Sequence, residues 1–187
     1  LAMKLNLSKI DSPLGELLVV TDDEKKIRAL GFGDQQAHLH RGLRQHYGQY
    51  ELAEIYIPYD IDAALQSYFD GDFAALDKVA IVTAGNELQR QVWAALRSIP
   101  AGQMMSYSAF AWSLGYDDPR MAIEFAAAIS ENPIAIVVPS HRVIGKNGGF
   151  RGYAWGQHRK RWLLDHEQAL LLGQSRNSGL TTHSSGF

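Results

Sequence analysis

Three short apolar-rich runs open the chain, Lys4 to Ile10, Glu16 to Thr21 and Lys26 to Phe32, separated by Asp11-Ser12-Pro13-Leu14-Gly15 and by Asp22-Asp23. Runs of this length bounded by Pro, Gly and Asp predict an antiparallel meander. Leu39, Leu43 and Tyr47 then recur at helical spacing, which predicts a helix over roughly 35–47 packed on that sheet. Leu65 and Phe69 share a face of a second helix over 61–69. Leu1-Ala2, ahead of Met3, reads as a cloning remnant and is left out of the fold reading.

From about Ile81 helical stripes become denser. Leu88, Val92 and Leu96 form one, broken at Ile99-Pro100-Ala101-Gly102, and Tyr107, Phe110, Ala111 and Leu114 form another, ended by Gly115. A third helix is predicted to start near Pro119, a residue suited to a first turn, and to stop before Asn132-Pro133. Helix, short break, helix is the outline of a helix-turn-helix. In the third helix Met121, Ala122, Phe125 and Ile129 form the expected core stripe, with Arg120, Ile123, Ala126, Ala127 and Ser130 on the opposite face. Ile134 to Val138 reads as a buried strand or extended segment that delivers Pro139-Ser140-His141-Arg142 to a turn. Gly145, Gly148, Gly149 and Gly152 mark a loop where backbone can approach a ligand closely. Trp162, Leu163 and Leu164 open a closing helix, and the Ser-, Asn-, Thr- and Gly-rich stretch from Gly173 reads as a flexible tail. The predicted division is an α/β domain over 3–80, a mostly helical domain over 81–172 and a tail over 173–187.

Composition narrows the chemistry. With 187 residues and 46% hydrophobic content, the chain can bury at least one good core. The net charge of −2 gives no overall basic excess, so nucleic-acid contact has to come from a local patch. There is no cysteine, which excludes disulfides, thiolate metal sites and thiol catalysis. His38, His40 and His46 are close in sequence but not at the three- or four-residue spacing that shares a helical face, so surface histidines are expected; neither a metal nor another cofactor is. Apolar runs such as 134–138 are too short to cross a bilayer and the start lacks the pattern of a leader, so a soluble cytoplasmic or nuclear protein with no membrane partner is the simplest reading.

Several segments, taken in order, carry a resemblance. They are Leu88-Gln89-Arg90-Gln91-Val92-Trp93, Ile99-Pro100-Ala101-Gly102, Ser106-Tyr107, Asn132-Pro133, Pro139-Ser140-His141-Arg142-Val143-Ile144, Gly152-Tyr153-Ala154-Trp155-Gly156, and Lys160 with Leu163-Leu164-Asp165-His166-Glu167. Over about half its length the chain resembles the C-terminal domain of the O6-alkylguanine-DNA alkyltransferases, with Ser140 in place of the nucleophilic cysteine of their Pro-Cys-His-Arg motif. The resemblance implies a ribonuclease-H-like α/β domain followed by a winged helix-turn-helix domain. It implies minor-groove binding, flipping of an alkylated guanine and irreversible alkyl transfer to the cysteine. It further implies that Tyr107 crowds a phosphate and contacts the base, and that the carbonyls of Ser140 and Val143 read the exocyclic amine. Tyr153 and the Ala154 amide would border the alkylated oxygen, Asn132 would brace the turn, and His141 with Glu167 would form the relay that activates the nucleophile.

Two departures bear on activity. A displacement at saturated carbon wants a polarisable anion, and a serine hydroxyl is a weak nucleophile that bases activate mainly toward carbonyl carbons. Ser140 is therefore expected to line the lesion pocket without accepting the alkyl group. The plain readings stay open beside this one: Ser140 as a turn cap, His141 as a hydrogen-bonded core residue, Arg142 as a loop anchor and Glu167 as a helix cap or pair. A Ser-His-Glu hydrolase is the weaker alternative, since there is no Gly-x-Ser-x-Gly elbow. The second departure is Ile123, which stands where the family carries the arginine that fills the gap left by the flipped base. It reads either as an apolar wedge, as lost base flipping, or as an ordinary exposed residue, and the flanking Glu124 and Glu131 repel phosphates. Arg142, Lys146, Arg151, Arg159, Lys160 and Arg161 form either a phosphate-contacting run or a solvated face.

The favoured function is recognition of O6-alkylguanine in duplex DNA without alkyl transfer, similar to the alkyltransferase-like proteins. DNA-binding residues are then Arg120, Ile123, Ala127, Ser130 and Arg142. The partners expected are double-stranded DNA carrying alkylated guanine and, as a further candidate, a repair protein, with the chain acting as a monomer. The alternatives are a Cys-to-Ser variant of an active enzyme, against which Ile123 argues, and a paralogue without DNA function that binds a protein or small molecule.

Overall fold

A computed structural model of the protein describes residues 1–145, 148–150 and 152–169. The predicted meander forms: β1 (Met3–Ile10), β2 (Leu17–Thr21) and β3 (Ile27–Phe32) pair antiparallel, with Ile10 opposite Leu17 and Val20 opposite Ala29. Helix α1 (Gln36–Tyr47) buries Leu39 and Leu43 as its periodicity requires. A fourth strand, β4 (Tyr50–Glu54), was not expected. It lies parallel to β1 at the sheet edge, giving the order β3-β2-β1-β4, and its half-exposed run lacks the β-branched residues that mark a strand. Helix α2 (Tyr59–Phe69) buries Ile61, Leu65 and Tyr68.

The second half begins with α3 (Glu87–Leu96), whose start is fixed by a capping box between Asn86 and Gln89. The short strand β5 (Met105–Ser106) leads into α4 (Tyr107–Ser113), capped by the Ser106 hydroxyl on Ala109 N. A 3-10 turn at Pro119–Met121 precedes α5 (Ala122–Ser130), and β6 (Val143–Ile144) pairs parallel with β5 before the closing helix α6 (Gln157–His166). In α5 the buried side is Phe125, Ala128 and Ile129, while Ala122 is exposed. The expected stripe is corrected by one turn: the first turn of the helix projects beyond the core, and Ala128 packs inside, its carbonyl accepting the buried Trp93 Nε1 at 2.7 Å.

Residues 134–138 are buried but are not a strand. Only Ile134 bridges the sheet, beside Leu30. The segment then folds back on itself, with Val138 N donating to Ile134 O at 3.0 Å and Val137 N to Ala135 O at 2.8 Å. Ile136 takes a positive φ of 71°, an uncommon state for a β-branched residue, held in place by complete burial. This turn is tied to the first sheet, because Leu30 N donates to Pro133 O and Ala135 N donates to Leu30 O, both at 3.0 Å.

One apolar core runs through both halves, from Leu5 to Leu163. Trp155 is the main seam. Its ring lies against Gly31, where a Cβ would come within 2.4 Å of the indole, and meets Phe32 and His38 edge to face. Among the described residues, no helix is long and apolar enough to cross a membrane. The expected tail, 173–187, lies outside the described residues, as does the end of the predicted 81–172 unit.

Candidate functional site

The site is built at the C-terminal end of α5, where the chain leaves the helix through Asn132. The Asn132 amide nitrogen donates to Val138 O at 2.7 Å and to Ser140 Oγ at 3.0 Å, while its Oδ1 accepts from Ile134 N at 2.9 Å. One buried side chain therefore closes the whole turn and holds the residue at position 140 against the end of the helix. A cleft opens over it, lined by Tyr107, Ser130, Asn132, Ser140, Gly152, Tyr153 and Ala154, with Trp155 and Lys160 behind. Ser140 is 6% exposed and forms part of this lining, and the Tyr153 hydroxyl is buried without a hydrogen-bond partner among the described residues. Burial pushes the Tyr107 and Tyr153 hydroxyls up from the usual phenol range, so both remain protonated donors.

Beneath the cleft lies a charged cluster centred on Glu167. Its Oε2 accepts from His141 Nε2 at 2.8 Å, from Arg142 Nη2 at 3.0 Å and from the Tyr68 hydroxyl at 2.5 Å, and its Oε1 accepts from Arg142 Nε at 2.8 Å. Burial alone would push the carboxyl up, but the charges and hydrogen bonds of His141 and Arg142 hold it well below the usual carboxylate range. His141 is fully buried, and burial outweighs Glu167 in holding the imidazole below its ordinary value. Its proton thus sits on Nε2 toward the carboxylate, while Nδ1 has no partner among the described residues. No hydrogen bond joins Ser140 to His141 among the described residues; the serine oxygen is engaged by Asn132 instead.

Of the predicted site residues, the fold brings Asn132, Ser140, Tyr107, Tyr153, Ala154 and Ser130 around one cleft, with His141 and Glu167 under its floor. Val143 is buried outside the lining, and its carbonyl already accepts Lys160 Nζ at 2.6 Å. Ile123 and Ala127 lie on the exposed side of α5, Ile123 at 83% exposure, and Arg120 is exposed in the 3-10 turn ahead of it, in an ion pair with Asp118 at 2.9 Å.

Arg142 requires correction as a DNA contact. It is buried and commits its guanidinium to Glu167 and to Ile99 O at 2.6 Å, so it anchors the loop. Two more residues of the predicted basic run are internal as well. Arg159 is buried between Leu14 O, Trp155 O and Asp34, and Lys160, pushed down to about 8 by burial, is inside as well. Arg161 is exposed over the Phe150 ring, and Lys146 and Arg151 lie outside the described residues. Arg142, Arg159 and Lys160 are internal because their heads reach carbonyls and carboxylates that the fold brings beside them.

One contributor to the site carried no expectation in the sequence. Tyr68 comes from the half that carried no predicted chemistry; the signal was a phenol on the buried face of α2, with Ile61 and Leu65, where a hydroxyl has to find a partner. Trp112, on α4, is 74% exposed and shares with Ile123 the character of a large apolar side chain left in solvent. Among the described residues, no group of three or more His, Cys, Asp or Glu could hold a metal ion.

Comparison with known proteins places this geometry. A family model described as the DNA binding domain of 6-O-methylguanine DNA methyltransferase matches residues 87–169. The chain is 43% identical over 172 residues to the methylated-DNA–protein-cysteine methyltransferase of Salmonella typhimurium, covering 91% of this chain and 99% of that protein. It is 32% identical over 162 residues to the protein of the same name from Methanosarcina acetivorans, covering 84% and 94%. Among solved structures, the O6-methylguanine methyltransferase of Mycobacterium tuberculosis superposes with a TM-score of 0.70 at 31% identity, covering 88% of this chain and 93% of that one. The crystal structure of the same organism's OGT in complex with DNA matches with the same TM-score at 32% identity, with the same coverage.

Proposed function

This chain belongs to the methylated-DNA–protein-cysteine methyltransferase family, and from that premise we propose that it binds O6-alkylguanine in duplex DNA without removing the alkyl group. The observation that carries this reading is Ser140: it lies in the wall of the cleft where the family has its cysteine, with its oxygen on Asn132 and no hydrogen bond to His141 among the described residues. A thiol with a reference pKa of about 8.5 can surrender its proton to a neighbouring imidazole, whereas an alcohol is far too weak an acid. His141 and Glu167 are hydrogen-bonded as such a relay requires, but the group it would serve is not a competent nucleophile toward saturated carbon.

In the same reading, β1 to β4 with α1 and α2 form the family's ribonuclease-H-like half, ending near residue 80. Helices α4 and α5 with the β5–β6 pair form its winged helix-turn-helix, which enters the minor groove and flips the lesion into the cleft. Ala127 and Ser130 supply a small face that permits close approach, and Ile123 acts as an apolar wedge between base steps. The reading takes DNA with an alkylated guanine as the partner and a monomer as the binding unit, with a repair protein receiving the signal. A paralogue without DNA function is favoured by one feature, the exposed Glu124 beside Ile123 on a chain of net charge −2.

Fluorescence anisotropy with an O6-methylguanine duplex beside an unmodified duplex separates the two. Tighter binding of the lesion with no methyl added to the protein, checked by intact mass, is the expected result. Equal or absent binding overturns lesion recognition, and a methylated protein overturns the lack of transfer.

A further inference from the structure

Three donors converge on one oxygen of Glu167, and one of them comes from the N-terminal half. The Tyr68 hydroxyl lies 2.5 Å from Oε2, the atom that also accepts from His141 Nε2 and Arg142 Nη2. The Tyr68 ring is fully buried and enclosed by Phe69, Phe73 and His166, and its backbone carbonyl meets His166 Nε2 at 2.9 Å, so the hydroxyl is aimed by packing on every side. Arg142 already fixes the carboxylate through both oxygens, which leaves Tyr68 with no necessary part in placing it. What the hydroxyl changes is charge: a donor on Oε2 draws off negative potential that would otherwise favour a positive imidazolium at His141.

We infer that Tyr68 is a positioning residue of the site, acting through Glu167: its hydroxyl shares Oε2 with His141 and so keeps the imidazole neutral, with the proton on Nε2 and Nδ1 bare. Arg142 and Lys160 act in the same direction, since both disfavour a second proton on His141, and among the described residues Glu167 alone favours one. The phenol is itself kept protonated, because burial and the adjacent carboxylate push it well above its ordinary value, so it remains a donor across the accessible pH range. A bare Nδ1 is the state that can accept a proton from residue 140. The N-terminal half thereby sets the protonation state of a site whose lining lies entirely in the other half.

The test uses the full chain and no DNA, so it stands or falls separately from lesion binding. Nitrogen NMR of His141 is expected to report the Nε2–H tautomer in the unmodified protein. In Tyr68→Phe, which keeps the buried ring, the His141 midpoint should rise by roughly one pH unit, a tenfold gain in proton affinity. A second measurement uses Ser140→Cys as a probe, following the pH dependence of thiol alkylation by iodoacetamide. Adding Tyr68→Phe should lower the apparent thiol midpoint, because a more basic imidazole favours the thiolate. Replacing Tyr68 with a ring-fluorinated tyrosine, a stronger hydrogen-bond donor, should raise it. Opposite shifts from the two replacements support the inference, since loosened packing would move both the same way. An unchanged His141 midpoint in Tyr68→Phe, or thiol shifts of the same sign in both replacements, overturns it.

Discussion

Asn132 donates its side-chain amide to the Ser140 hydroxyl oxygen at 3.0 Å, while the imidazole of the next residue, His141, makes its only hydrogen bond among the described residues to Glu167. Ser140 is thus held by a structural brace rather than by the imidazole beside it in sequence. This arrangement makes Ser140 a fixed part of the cleft wall.

Removing the brace should be costly. Asn132→Ala deletes three hydrogen bonds and leaves the buried Ile134 amide without its partner, while the Val138 carbonyl keeps only the Ser140 amide. One unsatisfied buried group costs about 1–3 kcal/mol and each of the other two lost bonds about 1 kcal/mol, so a loss of roughly 3 kcal/mol is expected in urea unfolding. Any preference for lesion-containing DNA should fall with it, because the strained Ile136 turn loses its closure.

Ile123 separates stability from binding. At 83% exposure its replacement by alanine should leave the urea midpoint within about 0.5 kcal/mol of the parent. If the side chain wedges between bases, burial on DNA is worth about 1–2 kcal/mol, so Ile123→Ala should weaken binding to the lesion duplex roughly tenfold in anisotropy titrations. Unchanged affinity would remove the wedge.

Gly31 should tolerate no side chain. A Cβ there would lie 2.4 Å from the Trp155 ring, which is wedged against Phe32 and His38. Gly31→Ala is expected to cost about 1–3 kcal/mol through overpacking. Trp155 directly follows Tyr153 and Ala154, so displacement of the indole should also disturb the cleft. Calorimetry and the anisotropy assay check the two effects.

Acid should destabilise the fold well before the carboxylates titrate. Burial holds His38, His46 and His141 below their ordinary value. Each therefore binds a proton more readily unfolded than folded, and stability falls as pH drops through about 6.5, the unfolded histidine value. Glu167 adds a second loss below about pH 4.3, because its folded value is depressed and its contribution is present only above the unfolded one. Urea midpoints measured from pH 8 to 4 should decline in these two stages, and His141→Gln should flatten the first. A level profile between pH 7.5 and 5.5 would contradict the burial of these imidazoles.

Much of the architecture was legible along the chain because it rests on local physics. Strands β1 to β3 followed from alternation and turn residues, and α1, α3 and α4 from stripes of apolar residues three and four apart. The motif series around Ser140 pointed to the family, and the substitution at that position could be read with no coordinates at all. Strand β4 escaped because an edge strand needs little hydrophobic signal when its partner supplies the hydrogen bonds. The turn at 134–138 escaped because a buried apolar run looks the same whether it extends or folds back, and here the choice was made by the Asn132 side chain.

By itself, then, the sequence determined which chemistry is missing: with no cysteine there is no thiolate, wherever the chain folds. Only the tertiary structure decided what the charged residues do. Arg142, Arg159 and Lys160 read as one basic run, yet each is drawn inside by an acceptor on another element. Tyr68 reaches Glu167 across 99 residues of sequence, a pairing that no local spacing encodes. The physical reason is common to all four: the head group of a long or amphipathic side chain goes where a partner offsets its desolvation, and those partners are brought within reach only by the tertiary fold.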